Sequence, residues 1–314
     1  MKTTLTGLIA APFTALREDG SLHVAMIGRQ AQALAANGVT GAFVCGTTGE
    51  GLSLTTAERR QVAEEWLATA PRALRVIVHV GHPSVAESRQ LAAHAAQIGA
   101  YAFAALAPTF FRAADLEQLV DCCAQVASGA PALPFFYYHL PAITGANFSM
   151  YDFLERAAER IPNLAGIKFT HEDLMDYRRC VAYAGGRFNI LFGRDEMLLA
   201  ALALGGTGAV GSTYNYLAPV FHQILAAVEA GDFATARQYQ SQAIEIIALM
   251  IQRGGLPAGK AMMKLVGLDC GPVRAPLRNL SPETWAQLTH ELEAVGFPAC
   301  VQADAPTVFP KKAG

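Results

Sequence analysis

Charge is scarce in this chain: 16% of its 314 residues are charged and the formal net charge is −2. A nucleic-acid binder needs a basic surface to neutralise phosphates, so that class is excluded and a small-molecule ligand is expected. So low a charged fraction also leaves apolar surface for a sister subunit to cover. Paired cysteine motifs are missing too. Cys45, Cys122, Cys123, Cys180, Cys270 and Cys300 include no C-x-x-C spacing, which points away from a zinc knuckle or a disulfide framework and towards reduced thiols in a cytoplasm. No apolar run is long enough to span a bilayer, so no membrane helix is expected. The opening "MKTTLTGLIAAPFTA" carries one lysine and a short apolar run containing Pro12, and it reads as a first strand rather than a signal peptide. Lysine is nearly absent from the middle of the chain: Lys168 is the sole one between Lys2 and Lys260, and it interrupts the apolar run "LAGIKF".

Short apolar or β-branched runs are what the chain has in abundance. They are "GLIAAPF" from Gly7, "GAFVCG" from Gly41, "LRVIVHVG" from Leu74, "YAFAALAP" from Tyr101, "LPFFYYHLP" from Leu133, "LAGIKF" from Leu164, "FNILFG" from Phe188 and "TGAVGS" from Thr207. Each is near-continuously apolar, as a strand buried on both faces should be. Amphipathic helical patterns lie between them. One runs from Thr56, opened by a cap pairing Thr55 with Glu58, and another from Val85, closed by Gly99. Eight βα units over about 215 residues predict an α/β fold of the (β/α)8 TIM barrel type, since a doubly wound sheet has fewer strands and a Gly-rich first turn. Beyond Tyr214 the pattern is helical, with Ser281 as an N-cap and Pro282 at the first helical position. The expected organisation is a barrel over residues 1–214, a C-terminal helical extension packed on it over 215–297, and a tail over 298–314.

In such a barrel, function collects at the C-terminal ends of the strands. The second strand leads into "CGTTGEG", the fifth into "YYH", the seventh into "GRDE" and the eighth into "GSTYN", while Lys168 lies within the sixth with Thr170 following. A lysine buried in an apolar barrel loses hydration, which favours the neutral amine. A neutral amine converts a ketone into a protonated Schiff base, an electron sink for breaking the adjacent carbon–carbon bond. The alternative is a lysine that snorkels to the rim or pairs with a carboxylate such as Glu172. The "GTTGE" turn, with Thr47 and Thr48, supplies hydroxyls and backbone N–H groups beside a following helix and suits a carboxylate, although Gly-rich βα turns are also common structural features. Tyr138 is placed to relay a proton near Lys168, or else belongs to the core. Asp195 and Glu196 are placed to hold the hydroxyls of a polyol, or else form a solvated loop pair.

Two other patterns lead nowhere. "GTGAVG" from Gly206 fits G-x-G-x-x-G, with Glu229 downstream, but it follows a helical pattern and contains the strand instead of following one, so no dinucleotide is expected. His79 and His82, even with His139 or His171, give no firm third ligand and no H-E-x-x-H spacing, so no metal is expected.

The set G-[ST]-T-G-E, Tyr-x-x-Pro-x-x-[Ser/Thr]-Gly and Lys-x-[Thr/Ser] is met by "GTTGE", by Tyr138 to Gly145, and by Lys168 to Thr170. With it the chain, from about residue 5 to 297, resembles the pyruvate-dependent class I lyases of the dihydrodipicolinate synthase and N-acetylneuraminate lyase superfamily. Within it the chain is most similar to the sialic-acid-cleaving branch in its animal-type form. Ile143 stands where dihydrodipicolinate synthases carry an arginine, Gly193, Asp195 and Glu196 match a G-x-D-E motif for the polyol tail, and Ser212 matches a substrate-facing serine. Two features depart from bacterial relatives: the aromatic pair after the fourth strand is Phe110 and Phe111, and Arg194 stands beside the acidic pair.

The resemblance implies reversible cleavage of N-acetylneuraminate to N-acetylmannosamine and pyruvate with no metal or organic cofactor, in a homotetramer. It implies Lys168 as the imine-forming residue, Tyr138 as proton relay, Thr47 and Thr48 as the carboxylate site, and Thr170, Gly193, Asp195, Glu196 and Ser212 around the sugar tail. A sibling enzyme acting on another 2-keto sugar acid, and a sugar-acid sensor on the same barrel, remain as other readings.

Overall fold

The computed structural model describes residues 4–297, so the tail expected over 298–314 lies outside the described residues. Its strands are β1 (Gly7–Ala10), β2 (Gly41–Val44), β3 (Arg75–His79), β4 (Ala102–Leu106), β5 (Phe135–His139), β6 (Leu164–Phe169), β7 (Asn189–Phe192) and β8 (Gly208–Gly211). Each pairs in parallel with the next and β8 closes on β1, making the expected eight-stranded barrel. Every expected apolar run contains one strand. Only β6 fills its run from end to end; the others lose residues at glycines, prolines and polar ends.

Closure makes alternate side chains point into the barrel or out to the helices. Ile9, Phe43, Ile77, Ala104, Phe136, Tyr138, Leu191 and Val210 form the inner cluster. Leu8, Val44, Val76, Phe103, Tyr137, Ile167, Phe169 and Phe192 belong to the larger layer beneath the helices. That alternation turns Lys168 inward between outward-facing Ile167 and Phe169. Its register partners are Tyr138 on β5 and Leu191 on β7.

The helices begin where cap residues are available. Thr55 and Glu58 form a reciprocal capping box at the head of Thr56–Thr69, and Ser84 and Ser281 cap Val85–Gln97 and Pro282–Ala294. After the barrel come the helices Ala218–Glu229, Phe233–Gln252, Leu256–Met262 and Pro282–Ala294. Among the described residues no helix is long and apolar enough to cross a membrane.

Candidate active site

Lys168 is 4% exposed, and its Nζ lies 4.2 Å from the centre of the Phe43 ring and 4.0 Å from that of Tyr138. Among the described residues no carboxylate lies within ion-pairing distance of it. Glu172, the partner the sequence offered, is exposed and pairs instead with Arg194 and with His171 Nδ1 at 3.1 Å. The Phe43 and Tyr138 ring faces thus stand around the Lys168 amine where a counterion would otherwise be.

The "GTTGE" turn curls over this pair. Cys45 and Glu50 adopt left-handed conformations with φ of 56° and 52°, which bend the chain sharply as it leaves β2. Thr47 Oγ1 lies 3.3 Å from the Tyr138 hydroxyl. The amides of Thr47 and Thr48 donate to no protein acceptor among the described residues, and both side chains are half-buried. The turn and the helix expected from Thr56 are not contiguous. A 3-10 turn, Gly51–Ser53, intervenes, and the helix starts at Thr56. The donors beside Thr47 are therefore those of the turn itself.

The ends of β6, β7 and β8 form the opposite wall. Thr170 Oγ1 is buried with no hydrogen-bond partner, and a Cβ on Gly193 would lie 1.9 Å from it, so only glycine leaves that hydroxyl room. Asp195 is buried, and its Oδ2 accepts from Thr213 N at 2.9 Å and Thr213 Oγ1 at 2.6 Å. Burial pushes the Asp195 carboxyl up to about 6, against the pull of the Thr213 hydrogen bonds and of the Lys168 charge. Glu196 is half-buried and faces Arg194 Nη1 at 3.5 Å. Ser212 is half-buried, and its carbonyl accepts from Asn215 Nδ2 at 2.7 Å.

The structure therefore joins Lys168 to Tyr138 and Tyr138 to Thr47, and it joins Thr170 with Gly193. It ties Asp195 to Thr213 and Glu196 to Arg194, two partners that do not follow from the motif. Ile143 is 53% exposed on the short helix Pro141–Thr144, while Phe110 and Phe111 are 79% and 85% exposed with their rings edge to face.

The model of the Dihydrodipicolinate synthetase family matches residues 4–295. The chain belongs to that family. It is 44% identical over 301 residues to the N-acetylneuraminate lyases of Rattus norvegicus and Homo sapiens, covering 94% of this chain and 94% of each relative. The solved structure of Proteus mirabilis N-acetylneuraminate lyase superposes with a TM-score of 0.91 at 40% identity, covering 94% of this chain and 100% of that one.

Three contacts around this member of the Dihydrodipicolinate synthetase family are not evident from its motifs. Glu50, the acid of the turn, forms a fully buried ion pair with Lys260 at 2.7 Å, and its other oxygen accepts from Arg274 N at 2.7 Å. Gln240 accepts from Leu199 N at 2.9 Å and donates to Asp195 O at 3.2 Å, tying the C-terminal helices to the loop after β7. His79 lies inside the barrel, with Nδ1 3.0 Å from Cys45 O. The signals were present, as a glutamate fixed in the motif and a lysine within the apolar "LPAGKAM". Their partners lie too far off in sequence to be paired by reading.

Proposed function

We propose that the protein is a Schiff-base-forming lyase that cleaves N-acetylneuraminate reversibly to N-acetylmannosamine and pyruvate. The observation that carries this reading is Lys168: a buried amine without a counterion, stacked on a tyrosine whose hydroxyl meets the "GTTGE" turn. The substrate follows from the 44% identity to N-acetylneuraminate lyases over nearly the whole chain, together with Ile143, Asp195 and Glu196.

In the proposed reaction the Lys168 amine adds to the keto carbon of the open-chain sugar acid and water leaves, giving a protonated iminium. Tyr138 relays the proton of the carbon 4 hydroxyl, taking it up as its own phenolic proton passes to the substrate carboxylate. The bond between carbons 3 and 4 breaks, its electron pair passing into the iminium to give an enamine, and N-acetylmannosamine departs as the aldehyde. Protonation of the enamine at carbon 3 and hydrolysis then release pyruvate and restore the amine. The free amides of Thr47 and Thr48, together with the two threonine hydroxyls, suit the substrate carboxylate, and Thr170, Gly193, Asp195, Glu196 and Ser212 surround the polyol tail. Every step uses side chains of this protein, with no metal or organic cofactor required.

We place the enzyme in a cytoplasm as a homotetramer. Five unpaired cysteines among the described residues and the exposed Phe110 and Phe111 support that assignment, and light scattering on the purified protein tests the assembly. The reaction itself is tested by borohydride reduction with pyruvate, followed by peptide mass spectrometry. The expected result is a reduced pyruvyl adduct on Lys168 and none in Lys168→Ala, with loss of turnover; an adduct still formed in Lys168→Ala overturns the assignment.

A further inference from the structure

The alternation of β3 turns Ile77 into the barrel and therefore His79 as well. The His79 ring is 1% exposed. Its Nδ1 faces the Cys45 carbonyl at 3.0 Å, and because a carbonyl only accepts, Nδ1 carries the proton and donates. Nε2 is then a buried acceptor with no protein partner. Burial, with the Arg59 and Lys168 charges adding to it, holds the imidazole pKa well below the usual histidine range, so the ring is neutral.

The carbonyl it binds has a particular place in the chain. Cys45 is the non-glycine residue with φ of 56° at which β2 bends into the "GTTGE" turn, a conformation that persists only when its surroundings hold it. Two residues on, Thr47 Oγ1 meets the Tyr138 hydroxyl at 3.3 Å. The Tyr138 ring in turn stands edge-on to His79, 5.8 Å between centroids at 89°, and Phe43 packs against both. The contacts close a ring, from His79 to Cys45, to Thr47, to Tyr138 and back to His79. Lys168 Nζ rests on the Phe43 and Tyr138 faces of that ring. Buried Arg59 fixes the far side by donating to His79 O at 2.7 Å and Gly81 O at 2.8 Å.

We propose that His79 is a positioning residue for the reaction: its Nδ1–H anchors the bend at Cys45 while its ring fixes Tyr138, holding the carboxylate-binding turn and the proton relay in one geometry about Lys168. The inference rests on the lyase reading above. A phenyl ring in its place would fill the space and keep the packing on Tyr138, but it would leave the Cys45 carbonyl without a donor and the bend unheld. Asparagine places an amide N–H where the imidazole has Nδ1, whereas glutamine places one where it has Nε2.

The test compares His79→Phe, His79→Asn and the wild type in two assays, the rate of borohydride-trappable adduct formation with pyruvate and kcat/KM for pyruvate release from N-acetylneuraminate. A wild type that forms no adduct on Lys168 overturns the lyase reading itself, separately from the role of His79. With a trappable wild type, His79→Phe is expected to lose about 30-fold in both assays, and His79→Asn to recover to within about 5-fold of the wild type. Wild-type rates in His79→Phe, or an Asn variant no better than Phe when both are folded by circular dichroism, overturn the proposal. If His79→Phe does not fold, His79→Gln takes its place, since its amide cannot reach Cys45 O from the Nε2 position.

Discussion

Two lysines are buried among the described residues, Lys168 and Lys260, and the more deeply buried of them is not the one the site is built around. Burial alone would select Lys260, at 1% exposure against 4%. The difference is the counterion: Lys260 has Glu50 at 2.7 Å, whereas Lys168 has only aromatic faces. A buried side chain with no ion-pair partner contributes to the fold mainly through its apolar stem, which methionine keeps, so Lys168→Met should abolish adduct formation while changing unfolding stability by less than about 1 kcal/mol in urea titrations. A loss of several kcal/mol would mean that Lys168 serves the fold. Asp195 offers a second test at this scale. Its carboxyl pKa of about 6 in the folded chain exceeds the usual 3.8, so the folded state binds its proton more readily. The destabilisation is therefore absent below about pH 4, grows as pH rises and is complete above about pH 6. Asp195→Asn, which keeps an acceptor for Thr213, should gain about 1–2 kcal/mol more over the wild type at pH 8 than at pH 5. A pH-independent difference would show that Asp195 is not held in the way its burial implies.

At the scale of the element, the capping box joins local sequence to the global fold. Glu58 closes the box with Thr55, and its carboxylate also binds the Arg274 guanidinium, with Arg274 Nη1 2.7 Å from Glu58 Oε2. That hydrogen bond, from a residue more than 200 positions away, is the main cause that brings the Glu58 pKa down to about 2 from the usual 4.5. Its stabilisation is complete above about pH 4.5 and is lost as pH falls through about 2. Glu58→Gln preserves the box, since glutamine serves there as well, and removes only the charge. The variant should be less stable by about 1 kcal/mol at pH 7, with the gap closing as pH drops below about 4.5 and shrinking in high salt, because the pair is partly exposed. Urea unfolding from pH 7 to pH 3.5 measures both trends. The elements themselves were legible: eight buried runs gave eight strands, and Thr55 and Ser281 gave two helix starts, because strand alternation and capping act within a few residues. Lys168, Tyr138 and Thr47 were legible for the same reason, each standing at a strand end that its own run defines. Glu50 with Lys260, Gln240 with Asp195, and His79 with Cys45 were not, because each pairing is set by how the closed barrel and its C-terminal helices come together in space.

At the scale of the whole molecule, those C-terminal helices reach the C-terminal ends of the strands at two places: Lys260 from Leu256–Met262 holds Glu50 of the turn after β2, and Gln240 from Phe233–Gln252 holds the loop after β7. One grips the wall proposed for the carboxylate and the other the wall proposed for the sugar tail. The Glu50 and Lys260 pair spans 210 residues and is 1% exposed on each side, and burial pulls the Lys260 pKa below the usual lysine range while Glu50 opposes it. In such a pair the loss of one partner strands the other. Lys260→Met should cost about 3–5 kcal/mol, because it leaves the Glu50 carboxylate buried beside an apolar chain. Adding Glu50→Gln to it removes the stranded charge and should restore more than half of that loss, a coupling of several kcal/mol in a double-mutant cycle of urea unfolding. Turnover should recover less than stability. Glu50 sits with φ of 52° and its second oxygen binds Arg274 N, so a neutral pair restores the packing without restoring the hold on the turn. A double variant whose loss equals the sum of the Lys260→Met and Glu50→Gln losses would mean the two side chains act independently, and one that regained full kcat/KM would release the C-terminal helices from any part in setting the turn.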